Sequence, residues 1–217
     1  MHYRLSAAGA CAALLTGCGG ATDGAGTTPR VISNGQSAAI SSYSGYAQSL
    51  QSLAAEADLL DATTGPQTPT AGTAQYQGVA VFGFLPESDL GIVLAGDMTL
   101  DVFFAANEVS GQISDFYARP TRGTSTSRPR DGSLSIADGA LLRGPEGTGM
   151  LALVSGEVEF FEDSMQDFSG ILQGAFGGDT AGFARGDLTM SFPSTLPVEA
   201  DPDGKIDIEG AFVLEVQ

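Results

Sequence analysis

Carboxylates are the most abundant ionisable side chains in this 217-residue sequence, which has 26 Asp and Glu, 9 Lys and Arg and a net charge of −17. The densest acidic cluster is Glu157, Glu159, Glu162 and Asp163. The spacing of Glu157 and Glu159 places both on one face of a strand. Paired carboxylates can hydrolyse glycosides, but two carboxylates on adjacent outward positions are typical of a solvated face. We therefore predict no catalytic residues and no enzyme activity.

A second acidic group, Asp201, Asp203 and Asp207 with Gly204, resembles a calcium loop. The spacing fails the EF-hand pattern, since Lys205 takes a ligand position and the glycine falls two places early. Asp-Pro-Asp-Gly is instead typical of a tight turn. We expect a hairpin here, and neither a metal nor a cofactor in the protein.

The segment Leu15-Thr16-Gly17-Cys18 resembles the lipobox of bacterial lipoproteins. Arg4 and an apolar run of about 11 residues precede it, which suits a secretory signal and is too short to span a bilayer. We predict a signal peptide over residues 1–17 and a mature chain that begins at a lipidated Cys18. Gly19, where an Asp would favour retention at the inner membrane, predicts an outer-membrane lipoprotein of a Gram-negative bacterium.

Loss of residues 1–17 would remove the histidine, Cys11 and Arg4, leaving 8 basic and 26 acidic residues and a net charge of −18. Without histidine or a free cysteine there is no Ser-His-Asp triad, no cysteine nucleophile and no His or Cys zinc site. The negative charge repels nucleic acid and anionic lipid. Membrane attachment would therefore depend on the acyl chains, such as palmitate.

Half of the positive charge of the mature chain lies in one polar segment, at Arg119, Arg122, Arg128 and Arg130. A localised basic patch on an acidic protein suits an anionic ligand or an acidic partner. Binding residues concentrate on loops that a rigid scaffold positions. These four arginines are the ligand-binding candidates, and a mobile solubilising loop is the other interpretation.

The elements that must position these residues follow from composition and periodicity. Residues 18–39 are rich in Gly, Ala and Thr and predict a flexible tether. Residues 40–75 predict a helical segment and linker, with apolar positions spaced three or four apart over 43–61. Period-two alternation and frequent glycines over 76–217 predict a single eight-stranded antiparallel barrel. Asn107 marks a tight hairpin within it.

Three segments, 98–114, 168–181 and 210–216, resemble the surface lipoproteins related to transferrin-binding protein B and factor H-binding protein. The first carries an Asn turn followed by Val-Ser-Gly-x-Ile, and the second carries Gly-x-Phe-x-Gly-x-x-Ala. The resemblance implies a C-terminal barrel on a lipid-anchored protein. The chain departs from the larger family members in having room for only one barrel.

Three functions are consistent with these features. The first is a monomeric binding protein on the cell surface that captures a protein or a small ligand. The second is a structural lipoprotein that faces the periplasm and has no external ligand. These two lack enzyme activity, and they differ in the side of the outer membrane on which the barrel lies. The third, which the solvated-face interpretation disfavours, is a carboxylate-based hydrolase that uses Glu157 and Glu159.

Overall fold

The computed structural model describes residues 42–84, 91–120, 127–161, 164–193 and 205–217. One helix, α1 (Tyr43–Ala57), precedes nine strands. The strands are β1 (Thr73–Phe84), β2 (Ile92–Phe103), β3 (Glu108–Pro120), β4 (Arg128–Arg130), β5 (Gly132–Arg143), β6 (Thr148–Phe161), β7 (Ser164–Gly177), β8 (Phe183–Pro193) and β9 (Lys205–Val216). The predicted signal peptide, Cys18 and the predicted tether lie outside the described residues.

The strands form a closed antiparallel barrel. Apart from the short β4, each strand pairs with the next along the chain, β3 pairs with β5, and β9 returns to pair with β1. The short β4 pairs with the end of β3 and is separated from β5 only by Asp131, so the two share one place in the ring. The predicted eight-stranded antiparallel barrel with a short N-terminal helix is confirmed.

Alternation along each strand separates the barrel interior from its surface. On β9, Ile206, Ile208, Phe212 and Leu214 point inward and are buried, as the period-two pattern predicts. Side chains from all eight principal strands fill the interior as one apolar core. Asn107 turns the chain between β2 and β3 in a left-handed conformation at φ 57°, which an asparagine tolerates better than most residues.

Glycine is required where β7 and β8 approach closely beside a large ring. Gly174 and Gly186 are direct partners in the two strands. A Cβ atom at Gly174 would lie 2.7 Å from the Arg185 carbonyl oxygen and 2.7 Å from Cζ of Phe212. The missing side chain therefore makes room for the Phe212 ring inside the barrel.

Helix α1 packs on the outside of the barrel. Ser42 caps its first turn, with the side chain accepting a hydrogen bond from the Gly45 N–H. Tyr43, Tyr46, Leu50, Leu53 and Ala57 form its buried face and cover outward valines and alanines of β1, β2 and β9. The helix ends at Ala57, four residues before the periodic pattern does, and Leu59 is 86% exposed. Within the described residues no helix has the length and apolar character to cross a bilayer.

Candidate functional site

The two ends of the barrel are built differently, and one is closed by the chain itself. Residues 61–72 run across the end where β5 meets β6 and β7 meets β8. The Thr63 N–H donates to the Phe176 carbonyl at 2.9 Å, and the Thr63 carbonyl accepts from the Thr148 N–H at 2.7 Å. Gly65 donates to the Gly144 carbonyl at 2.8 Å. We call this the sealed end, because main-chain hydrogen bonds hold the segment across it.

Arg143 fixes the sealed end. Its guanidinium donates to the carbonyl oxygens of Pro69 at 2.7 Å, Phe104 at 3.1 Å and Thr68 at 3.2 Å, and to Oδ1 of Asn107 at 3.0 Å. An arginine that satisfies several carbonyls is a structural residue, since its donors are already used. Nothing in the sequence around Arg143 indicated this role, because Thr68 lies 75 positions away.

The opposite end, which we call the loop end, is where residues 85–90, 121–126, 162–163 and 194–204 connect the strands. None of these four connections is among the described residues. Beneath them the barrel is filled by an aromatic cluster of Phe82, Phe116, Phe160, Phe168 and Phe192, with ring centroids of contacting pairs 5.2–6.2 Å apart. Packed aromatic rings give the strand ends a rigid base.

The structure brings three of the four predicted arginines to the loop end. Arg128 lies opposite Ala118 in the pairing of β4 with β3, so it shares the rim of the barrel with Arg119 but not the same face of the strand pair. The Arg119 guanidinium lies 5.9 Å from the ring centroid of Tyr43, a cation–π contact that ties the barrel rim to the start of α1. The Tyr43 N–H also donates to Oγ of Ser127 at 2.9 Å. Arg122 lies outside the described residues.

Arg130 differs from its neighbours because it is held in an ion pair. Its Nη1 atom lies 2.9 Å from Oε1 of Glu159, and the two side chains are only 12% and 19% exposed. Glu159 Oε2 also faces the Asp131 N–H. Arg130 is therefore bound to its own barrel, whereas Arg128 is exposed.

This ion pair occupies one member of the acidic cluster considered for acid–base chemistry, Glu159. Glu157 is exposed on the outer face of β6, and Glu159 is occupied by Arg130. Glu162 and Asp163 lie outside the described residues, as do Asp201 and Asp203 of the predicted turn. Glu159 thus has a structural role that the spacing alone did not reveal.

A polar contact beneath α1 was also missed from the sequence. The Tyr46 hydroxyl donates to the Asp115 carbonyl at 3.0 Å, and the Asp97 carboxyl group is close to the same hydroxyl. Burial and the nearby Asp115 carboxylate raise the pKa of Asp97, against the lowering effect of the Tyr46 hydroxyl. Burial, followed by the two carboxylates, raises the pKa of Tyr46. These residues come from α1, β2 and β3, so no local pattern could connect them.

Comparisons with known proteins found similarity among solved structures. No protein-family model and no curated protein sequence matches the chain. Among solved structures, a tryptophan-to-alanine variant of the vaccine antigen transferrin-binding protein B from Haemophilus parasuis Hp5 is similar in fold, with 15% sequence identity and a TM-score of 0.47. The match covers 72% of this chain and 28% of that one. The chain is thus similar to about a quarter of a larger protein.

Proposed function

We propose that this chain is a lipid-anchored protein of the bacterial outer membrane that captures a ligand at the cell surface through the loop end of its barrel. The observation that carries the proposal is the difference between the two ends. One end is tied to residues 61–72 by main-chain hydrogen bonds, and the other carries Arg119 and Arg128 above an aromatic base. Loops positioned by a rigid scaffold are a common form of binding site.

The packing of the barrel favours a protein as the ligand. Side chains of the eight principal strands occupy the interior, and the aromatic cluster lies directly under the loop end. A ligand must therefore bind to the outside of the barrel, where a macromolecule finds more contact area than a small molecule does. Arg119 and Arg128 would favour an acidic surface on that protein.

The predicted tether is long enough for this role. The described chain begins at Ser42 next to the loop end, and Cys18 precedes it by about 24 residues. A flexible chain of that length has an average span of about 25–30 Å. The barrel would therefore be able to turn its loop end away from the membrane to which Cys18 anchors it.

Protease accessibility on intact cells tests the location. Cleavage of the barrel on intact cells, with a periplasmic protein protected as control, supports the cell surface. Protection of the barrel until lysis would contradict the proposal and would favour the periplasmic structural role.

A pull-down from the natural medium of the cell tests the ligand site. The double variant Arg119→Ala, Arg128→Ala is expected to lose saturable binding of the captured protein. Arg185→Ala is the matched control, because Arg185 pairs with Asp58 on the outer side of the barrel away from the loop end. Equal binding by both variants would contradict a site at the loop end.

A further inference from the structure

The outer surface of the barrel carries an apolar face on β5, β6 and β7 that no other part of the described chain covers. Leu142, Leu151, Leu153 and Ile171 point outward and are 57%, 41%, 52% and 42% exposed. Leu153 and Ile171 are direct partners across β6 and β7, and Leu151 is opposite Ala140 on β5. The four large side chains therefore form one contiguous surface, which we call the apolar face.

The apolar face is also free of charge over most of its extent. The outward positions from Gly149 to Ser155 on β6 and from Ser169 to Ala175 on β7 hold no ionisable residue. Charged residues border the face: Asp138 lies in the bulge of β5, Glu157 and Asp167 are paired at one end of β6 and β7, and Asp187 and Arg185 lie opposite Gln173 and Ala175 on β8. A neutral surface of this size contrasts with a chain whose net charge is −17.

The position of this face in the ring explains why it is left uncovered. Helix α1 covers outward residues of β1, β2 and β9, so its face is centred on β1. In the closed ring, β6 is the fourth strand from β1 in both directions. The apolar face is therefore diametrically opposite the face that α1 covers. In the described part of the chain, the barrel has two outer apolar surfaces, and α1 covers one of them.

We propose that the apolar face binds a second copy of this chain and forms a weak two-fold dimer. Two molecules with a net charge of −17 repel each other where carboxylates face carboxylates. A face without ionisable residues is the part of such a surface on which two copies can approach without that cost. A two-fold axis requires that the same patch be used by both subunits. The outward leucines of one copy would then pack on those of the other.

The size of the face indicates the strength of the dimer. Strands about 4.8 Å apart with a rise of about 3.3 Å per residue make the face about 15 Å wide and 25 Å long. This is less than the roughly 800 Å² per partner of a standard stable interface. We therefore expect dimers in solution only at about 10 μM to 1 mM. Acyl chains that hold two copies in one membrane would raise their effective concentration.

Sedimentation equilibrium of residues 18–217 carrying Cys18→Ser tests the dimer without acyl chains. The mass is expected to rise with concentration toward twice that of the monomer. Leu153→Glu places a charge at the centre of the face and should raise the dissociation constant about thirty-fold or more, as expected for a central interface residue. Leu59→Glu adds the same charge at a residue that is 86% exposed and outside the face, and should leave the constant unchanged.

Crosslinking in cells identifies the occupant. Leu153→Cys adds a thiol near the proposed two-fold axis, where each copy meets itself. Mild oxidation should yield a disulfide-linked species of twice the monomer mass, and Leu59→Cys should not. A monomeric mass up to about 1 mM, equal effects of the two glutamate variants, or a crosslink from Leu153→Cys to a different protein would each overturn the proposal.

Discussion

At the scale of single residues, the arginines of the loop end differ in what they contribute to the folded state. Arg130 and Glu159 form an ion pair at 2.9 Å with little exposure of either side chain, whereas Arg128 is exposed on the same short strand. The four arginines are equivalent in the sequence. In the structure Arg130 pairs with Glu159 and Arg119 packs on the Tyr43 ring of α1, so ligand-binding tests require a stability control.

We predict that Arg130→Ala lowers the free energy of unfolding by about 1–3 kcal/mol, because it leaves the mostly buried Glu159 carboxylate without its partner. Arg128→Ala removes the same side chain from an exposed position of the same strand and, as the matched control, should cost less than Arg130→Ala. Urea unfolding followed by circular dichroism measures both. Equal stability of the two variants would mean that the ion pair contributes nothing net.

Asp97 provides a prediction of pH dependence. Its pKa is raised in the folded chain, mainly by burial, so the folded state binds the proton more tightly than the unfolded state does. The stability from this group is therefore fully present below the ordinary pKa of aspartate and is lost as pH rises through the folded pKa. Asp97→Asn is expected to increase stability at pH 7 and to flatten the pH dependence between pH 4 and 7.

Thermal unfolding from pH 4 to pH 7 checks this prediction. Asp138→Asn removes the same charge from an exposed position and serves as the matched control. A variant that is less stable than the parent at every pH would show that the Asp97 carboxylate, through Tyr46, makes a net favourable contact.

At the scale of elements, close approach of strands determines where glycine is required. Gly174 on β7 faces Phe212 and the main chain of β8. Gly174→Ala is expected to destabilise the barrel by about 1–3 kcal/mol, because the added methyl displaces the ring or the strand. Gly182→Ala, in the turn before β8, meets no atom within 4 Å and should be nearly neutral. A measured loss from Gly182→Ala equal to that from Gly174→Ala would contradict the packing explanation.

Helix α1 is an element whose stability comes from the barrel surface under it. Leu53 is 6% exposed against β1, β2 and β9. Leu53→Ala is expected to cost about 2–4 kcal/mol of unfolding free energy through lost burial and a cavity. Leu59→Ala removes the same atoms just beyond the helix and should cost less than about 0.5 kcal/mol. Helix content measured at 222 nm separates loss of α1 from loss of the barrel.

At the scale of the whole molecule, net charge opposes compaction. A chain with a net charge of −17 repels itself when folded, and salt screens that repulsion. Raising the salt concentration from about 10 mM to 500 mM is expected to increase stability by about 1 kcal/mol, or about 2–4 °C in the melting temperature. Choline chloride should act like sodium chloride. A response to one salt alone would indicate ion binding instead of screening.

Local patterns in the sequence predicted the features that depend on neighbouring residues. The alternation of Ile206, Ile208, Phe212 and Leu214 assigned the inward face of β9, and the spacing of Leu50 and Leu53 assigned the buried face of α1. Asn107 marked a hairpin turn. These predictions hold because side-chain direction along a strand or helix repeats with a fixed period. Glycines at frequent intervals, together with this alternation, were sufficient to predict a barrel.

Contacts between distant residues were decided only by the tertiary structure. Arg130 meets Glu159, Arg143 meets Thr68, and Tyr46 meets Asp97, although 29, 75 and 51 positions separate them. Such pairs depend on the pairing register of the strands in the closed barrel, because this register places strands from different parts of the chain side by side. Closure of the barrel also places the apolar face on the side opposite α1, and it brings the strand ends together as a sealed end and a loop end. A single sequence contains no local signal for these relations, because many registers preserve the same alternation.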